Sequence, residues 1–161
     1  MVADLVGLPC LGSSRALDME MFGFGTPQEG TGRRGRPIVR PSFALNVQAP
    51  WRIVLDDRII VGYRDMRDPP TGVSTDGWDP SEARLAHCDE LLAAFLDRPT
   101  ALRVTGVSTS LAGDLRLILD DGSTLEILPD SAALDDEHWR LLGPDGSHVV
   151  VGGDGAILWL A

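Results

Sequence analysis

Few side chains in this 161-residue sequence could act as nucleophile, general base or soft metal ligand. They are His87, His138 and His148, with Cys10 and Cys88. No two of them stand at a zinc-finger or metalloprotease spacing. His87 and Cys88 are adjacent, so on a helix their side chains diverge by about 100°. Cys88 lies among apolar residues at helical spacing and reads as a small buried hydrophobe. Neither a metal nor a cofactor is expected from this set.

Carboxylates come in runs at Asp56-Asp57, Asp120-Asp121 and Asp135-Asp136-Glu137. General acid–base work or metal-assisted hydrolysis requires carboxylates that converge in a pocket. Runs at turns read instead as solvated turn residues. Asp135, Asp136 and Glu137 stand beside His138, so a small hydrolase built on that acid–histidine cluster is one reading. The same acids flank Trp139, and acids around an aromatic suit a protein partner with a basic surface. Trp139 is equally suited to packing, since indole buries a large apolar area. Gly152-Gly153-Asp154-Gly155 lacks the helix that a phosphate cradle requires, because Ala156 to Leu160 reads as a terminal strand. No Gly-x-Ser-x-Gly elbow, Walker loop or dinucleotide fingerprint occurs.

Arg33-Arg34-Gly35-Arg36-Pro37 resembles the core of the AT-hook, a basic arm that inserts arginines into narrow A·T minor grooves. That resemblance implies DNA contact through Arg33, Arg34 and Arg36. The motif occurs once in a chain of net charge −10, so nucleic acid is not the expected partner. All fourteen basic residues are arginine, a mark of GC-rich coding. Their distribution is uneven. Residues 1–68 hold nine arginines against eight acids, a net +1, and residues 69–161 hold five against sixteen, a net −11. The acidic half repels nucleic acid and membrane phosphate, and it attracts a basic protein. No basic, apolar leader opens the chain, and no apolar run nears the roughly 18–20 residues of a membrane helix. A cytoplasmic protein with reduced thiols and no membrane contact is expected.

The elements that must position these groups show an internal repeat. Trp51-Arg52-Ile53-Val54, a polar turn, and Ile59-Ile60-Val61-Gly62 match Trp139-Arg140-Leu141-Leu142, a turn, and Val149-Val150-Val151-Gly152. Upstream, Leu17-Asp18-Met19-Glu20-Met21-Phe22 alternates apolar and polar residues, and Leu115 to Leu119 does so less strictly. Period-two alternation marks strands with one buried face. Phe43 to Val47 and Thr124 to Leu128 follow as further strands, and Asp121-Gly122 is a hairpin signal. Each unit is expected to be a four-stranded antiparallel meander. Arg52 and Arg140 should face away from the core and pair with acids.

One helix joins the units. Asp79 suits its N-cap, Pro80 its first position and Glu82 its capping box. Leu85, Cys88, Leu92 and Phe95, flanked by Leu91 and Leu96, form its apolar stripe, and it should end near Asp97, before Pro99. The stretches 25–37 and 65–79 read as exposed, mobile loops. The expected fold is one α+β domain over residues 1–161. It comprises a first antiparallel β-meander repeat at about 5–66, a loop and amphipathic helix at 67–98, and a second repeat at about 100–160. A duplication of this kind admits a pseudo-twofold arrangement, and open strand edges admit a homodimer.

The second unit resembles a type of small bacterial β-rich domain, often actinobacterial. The resemblance rests on Gly113 to Leu117, Asp121-Gly122, Leu125 to Pro129, Glu137 to Leu141 and Gly143-Pro144-Asp145-Gly146. Related small acidic domains resemble accessory or immunity proteins of polymorphic toxin systems. The resemblance implies a binding role and assigns no residue. The leading expectation is therefore a non-enzymatic, protein-binding domain, an immunity-type inhibitor with an acidic face.

Overall fold

The computed structural model describes residues 1–80, 85–133, 135–153 and 157–160, with backbone alone for Arg33 and for 157–160. Its strands in the first half are β1 (Cys10–Ala16), β2 (Met19–Phe24), β3 (Gln28–Thr31), β4 (Pro37–Arg40), β5 (Phe43–Val47), β6 (Trp51–Leu55) and β7 (Arg58–Gly62). The helix α1 (His87–Leu96) follows. The second half holds β8 (Val104–Thr109), β9 (Leu115–Leu119), β10 (Thr124–Ile127), β11 (Glu137–Leu142), β12 (His148–Gly152) and β13 (Ile157–Leu160). Among the described residues no helix is long and apolar enough to cross a membrane.

Among the described residues three antiparallel sheets and one α-helix make up a small β-rich fold, and α+β describes it. The six-stranded sheet runs β1-β2-β5-β11-β12-β13, the five-stranded sheet β7-β6-β10-β9-β8, and β3-β4 forms a ribbon of its own. The expected four-stranded meander within each unit is not what forms. β1-β2-β5 of the first unit continues into β11, and β8-β9-β10 of the second unit continues into β6. Each unit is thus divided between the two large sheets.

The end of β5 gives the local reason. The N–H groups of Gln48 and Ala49 both donate to the His138 carbonyl at 2.9 Å, which bends the chain out of the ladder. Pro50 has no N–H with which to continue it. The Pro50 carbonyl then accepts the Leu128 N–H at 2.8 Å, beside the five-stranded sheet. The glycines that end the repeated hairpins are also out of step. Gly62 lies opposite Arg52, whereas Val150 lies opposite Arg140 and Gly152 opposite Glu137.

The inner faces of the two large sheets meet in one core. Phe22, Phe24, Leu45, Val47, Trp139, Leu141, Val149 and Val151 come from the first sheet, and Trp51, Ile53, Leu115, Leu117, Leu125 and Ile127 from the second. Each such side chain contributes about 1.5–3 kcal/mol on burial. Phe22 and Trp51 meet edge to face across the sheets, with ring centroids 5.3 Å apart. The alternation in β2 runs in the opposite phase to the one expected. Glu20, Phe22 and Phe24 are buried, Met19 and Met21 are half-buried on the other face, and Leu17 is exposed. Phe22 packs edge to face on Trp51 and Phe24 lies in the same core, and Glu20, in phase with them, is carried inward.

The helix also starts later than expected. Ala86 is its N-cap, and the Asp89 carboxylate accepts the Ala86 N–H at 2.6 Å. Asp89 thus takes the reciprocal capping role expected of Glu82, which lies outside the described residues. Leu85 is exposed, so the buried stripe is Cys88, Leu92 and Phe95. The helix ends where expected, the Asp97 N–H donating to the Ala93 carbonyl. The segment after β7 is, beyond a 3-10 turn at Tyr63–Arg67, the exposed loop expected, tied at three points. The His87 N–H donates to the Asp68 carbonyl, the Thr71 N–H to Glu90, and the Trp78 indole N–H to the Arg67 carbonyl.

Candidate functional site

β5 and β6 are joined by three residues, 48–50, but β10 and β11 by nine, 128–136. This longer crossover is fixed at several points. The buried His138 ring donates from Nε2 to the Ser131 carbonyl at 3.0 Å. The Gly153 N–H donates to the Asp136 carbonyl at 3.0 Å. Glycine is required at 153, because a Cβ there would lie 1.9 Å from the Ala133 carbonyl oxygen. Held in this way, the crossover exposes Asp130, Asp135 and Asp136. Among the described residues, Asp135 and Asp136 have no ion-pair partner.

The other two members of the sequence cluster do not join that surface. Glu137 is half-buried and accepts the Arg140 Nε–H at 3.1 Å. Trp139 is 1% exposed, and its indole N–H donates to the Gly113 carbonyl at 2.8 Å. It is a core residue and not a surface anchor. The turn that presents this carbonyl requires glycine: Gly113 has φ +91°, and a Cβ there would lie 2.6 Å from the Val151 side chain.

Asp135, Asp136 and His138 also fail to converge. The imidazole is committed inward while the aspartates face solvent. His87 contacts Glu90 at 3.4 Å on α1, and His148 is the first residue of β12, its ring beside the Gly146 carbonyl. Among the described residues no three His, Cys, Asp or Glu side chains gather as a metal site. Neither thiol is set up as a nucleophile, since burial pushes Cys10 up to about 11 and Cys88 up to about 12. The remaining acid runs serve local structure. Asp56 and Asp57 form the β6–β7 turn with positive φ, Asp120 accepts the Arg103 N–H at 3.0 Å, and Asp121 pairs with Arg98 at 2.9 Å. The arginines behind the repeated tryptophans pair with acids as expected, Arg52 with Glu126 at 2.7 Å and Arg140 with Glu137.

The Arg/Gly segment is part of a hairpin, where a mobile loop was expected. β3 and β4 pair from Gln28↔Arg40 to Thr31↔Pro37, and their residues are exposed except for a half-buried Ile38. Arg34 at the tip takes the left-handed conformation, φ 64° and ψ 27°, so the segment turns back on itself. Arg34, Arg36 and Arg40 are exposed and, among the described residues, have no ion-pair partner. The base of this arm leans over the outer face of the six-stranded sheet. It leaves a cavity of about 360 Å³ lined by Met21, Gly23, Val39, Arg40, Ala44 and Asn46 among others.

Sequence reasoning missed a buried charge cluster. Arg15 on β1 lies opposite Glu20 on β2, and both point inward. The Arg15 guanidinium pairs with Asp89 at 2.9 Å and donates to the Leu17 carbonyl at 3.0 Å. The hydrogen bond to Asp89 raises the Arg15 pKa. Glu20 is 1% exposed, and its Oε2 has no hydrogen-bond partner. Burial raises its pKa from 4.5 to about 8, the nearby Asp89 charge adds to this, and the Ser13 hydroxyl and Arg15 oppose it. Glu20 is accordingly protonated at neutral pH. The signal was its phase with Phe22 and Phe24.

No protein-family model, curated protein or solved structure matches this chain.

Proposed function

We propose that this chain is a non-enzymatic protein-binding domain that meets a basic partner through the β10–β11 crossover. The observation that carries this reading is the pair Asp135 and Asp136. They are exposed and, among the described residues, without ion pairs, on a segment whose backbone is pinned at Ser131 and Asp136. A loop tied down on both sides of its carboxylates loses little entropy when a cationic surface arrives, and their field speeds the encounter. The charged groups that might have done chemistry are engaged elsewhere, Glu137 with Arg140 and His138 with Ser131. An immunity-type inhibitor is the specific form we favour, in line with the family resemblance of the second unit.

A duplication of one unit accounts for the scaffold. β5 meets β11 in the register Val47↔Trp139, Asn46↔Arg140, Leu45↔Leu141, and β10 meets β6 in the register Ile127↔Trp51, Glu126↔Arg52, Leu125↔Ile53. β1 carries a register shift between Cys10 and Gly12 against β2, and β8 one between Val104 and Gly106 against β9. Copies related by a pseudo-twofold axis, each lending its Trp-Arg hairpin to the other's sheet, would give these matches. On that reading the nine-residue crossover is a lengthened version of the three-residue link 48–50, and it is where the second copy acquired its binding loop.

The test is co-expression with the products of the adjacent genes. A stable complex, with rescue from a toxic neighbour, is expected. Absence of both would count against the proposal.

A further inference from the structure

We propose that the partner includes a second copy of this chain, with the β3–β4 arm of each copy docked on the acidic crossover of the other. This rests on the reading of the crossover as a surface for a basic partner. The arm supplies the independent observation. A two-stranded hairpin by itself is marginally stable in water. This one has four-residue strands that are almost wholly exposed, and Val39 is 69% exposed. Residues 25–42 hold four arginines against one glutamate, in a chain of net charge −10. Arg34, Arg36 and Arg40 find no acid in their own chain among the described residues, and neither do Asp135 and Asp136 find a cation. The unsatisfied charges are of opposite sign and lie on separate projections. A reciprocal exchange satisfies both sets at once and closes the assembly at two copies, as a twofold contact does. Duplex DNA offers acceptors for the arm but no cation for the crossover, whereas a second copy offers a counter-charge to each.

Sedimentation of the full chain tests this at low salt and at about 0.5 M NaCl, where exposed charges are screened. A dimer is expected at low salt, dissociating at high salt. R34E/R36E and D135R/D136R should each weaken it by about tenfold or more, since both place like charges in contact. An equimolar mixture of the two variants should restore the dimer, because arm and crossover are then complementary again. Circular dichroism of each variant checks that the fold is kept. A wild-type chain that stays monomeric, reversal variants that still dimerise, or a mixture that does not recover would overturn the exchange. So would arm-dependent binding of a short A·T duplex by a monomer. If the wild type is monomeric while D135R/D136R still loses a basic partner, the exchange alone fails. If dimerisation needs the arm but survives D135R/D136R, the crossover reading fails with it.

Discussion

Replacing Glu20 by glutamine should make the protein more stable at alkaline pH and leave it nearly unchanged at pH 5. In the unfolded chain this carboxyl ionises near its ordinary 4.5, while in the folded chain it holds its proton up to about 8. Between those values the unfolded state binds fewer protons than the folded state, so stability falls as pH rises. The loss begins near pH 4.5 and is complete above about pH 8. At about 1.4 kcal/mol per pH unit, the whole interval amounts to about 5 kcal/mol. The groups that set it lie on three elements: Asp89 on α1, Arg15 and Ser13 on β1, and Glu20 itself on β2. Other titrations affect wild type and variant alike, so the difference between them isolates this carboxyl. Urea unfolding of wild type and E20Q at pH 5, 6, 7, 8 and 9 measures it. The two should nearly coincide at pH 5 and separate by several kcal/mol at pH 8, with E20Q the more stable. E20L, which places an apolar residue there, should follow the same trend. Unfolding free energies that run parallel across this range would refute a buried, neutral Glu20.

Three further outcomes follow from the geometry. In folded protein at pH 8 neither Cys10 nor Cys88 should react with a thiol reagent over the time in which both react in urea, because burial holds both as thiols. Trp139→Phe should cost about 1–3 kcal/mol more than Trp51→Phe in thermal unfolding. The first leaves the Gly113 carbonyl without its donor, whereas the second removes an indole N–H that already lacks a partner. Asp89→Ala removes both the Ala86 cap and the partner of a nearly buried Arg15, and should cost about 3 kcal/mol or more by the same measurement.

Local features were legible in the sequence and long-range pairings were not. The hairpin at Asp121-Gly122 and the helix end near Asp97 depend on neighbouring residues, and they formed as the sequence implied. The division of each unit between two sheets depends on where β5 and β10 find partners across the chain, which alternation cannot specify. The inward turn of Glu20 was masked by a run that alternated in two ways, and Phe22 and Phe24 decided between them. The helix start was displaced because Asp89, already held by Arg15, supplies the cap from inside the helix. Trp139 was ambiguous in sequence, since indole suits core and interface alike. Only the Gly113 carbonyl, 26 residues away along the chain, resolved it. The acids of the crossover were visible, but not which of them reach solvent: Asp135 and Asp136 do, and Glu137 turns back to Arg140.

The most direct measurement of the binding role is the affinity of a co-purified partner for wild type and for D135R/D136R, taken at low and high salt. Loss of the complex on charge reversal is expected, with a wild-type affinity that weakens as salt rises and an unfolding midpoint that stays in place. A complex that survives the reversal unchanged would contradict a binding role for the crossover.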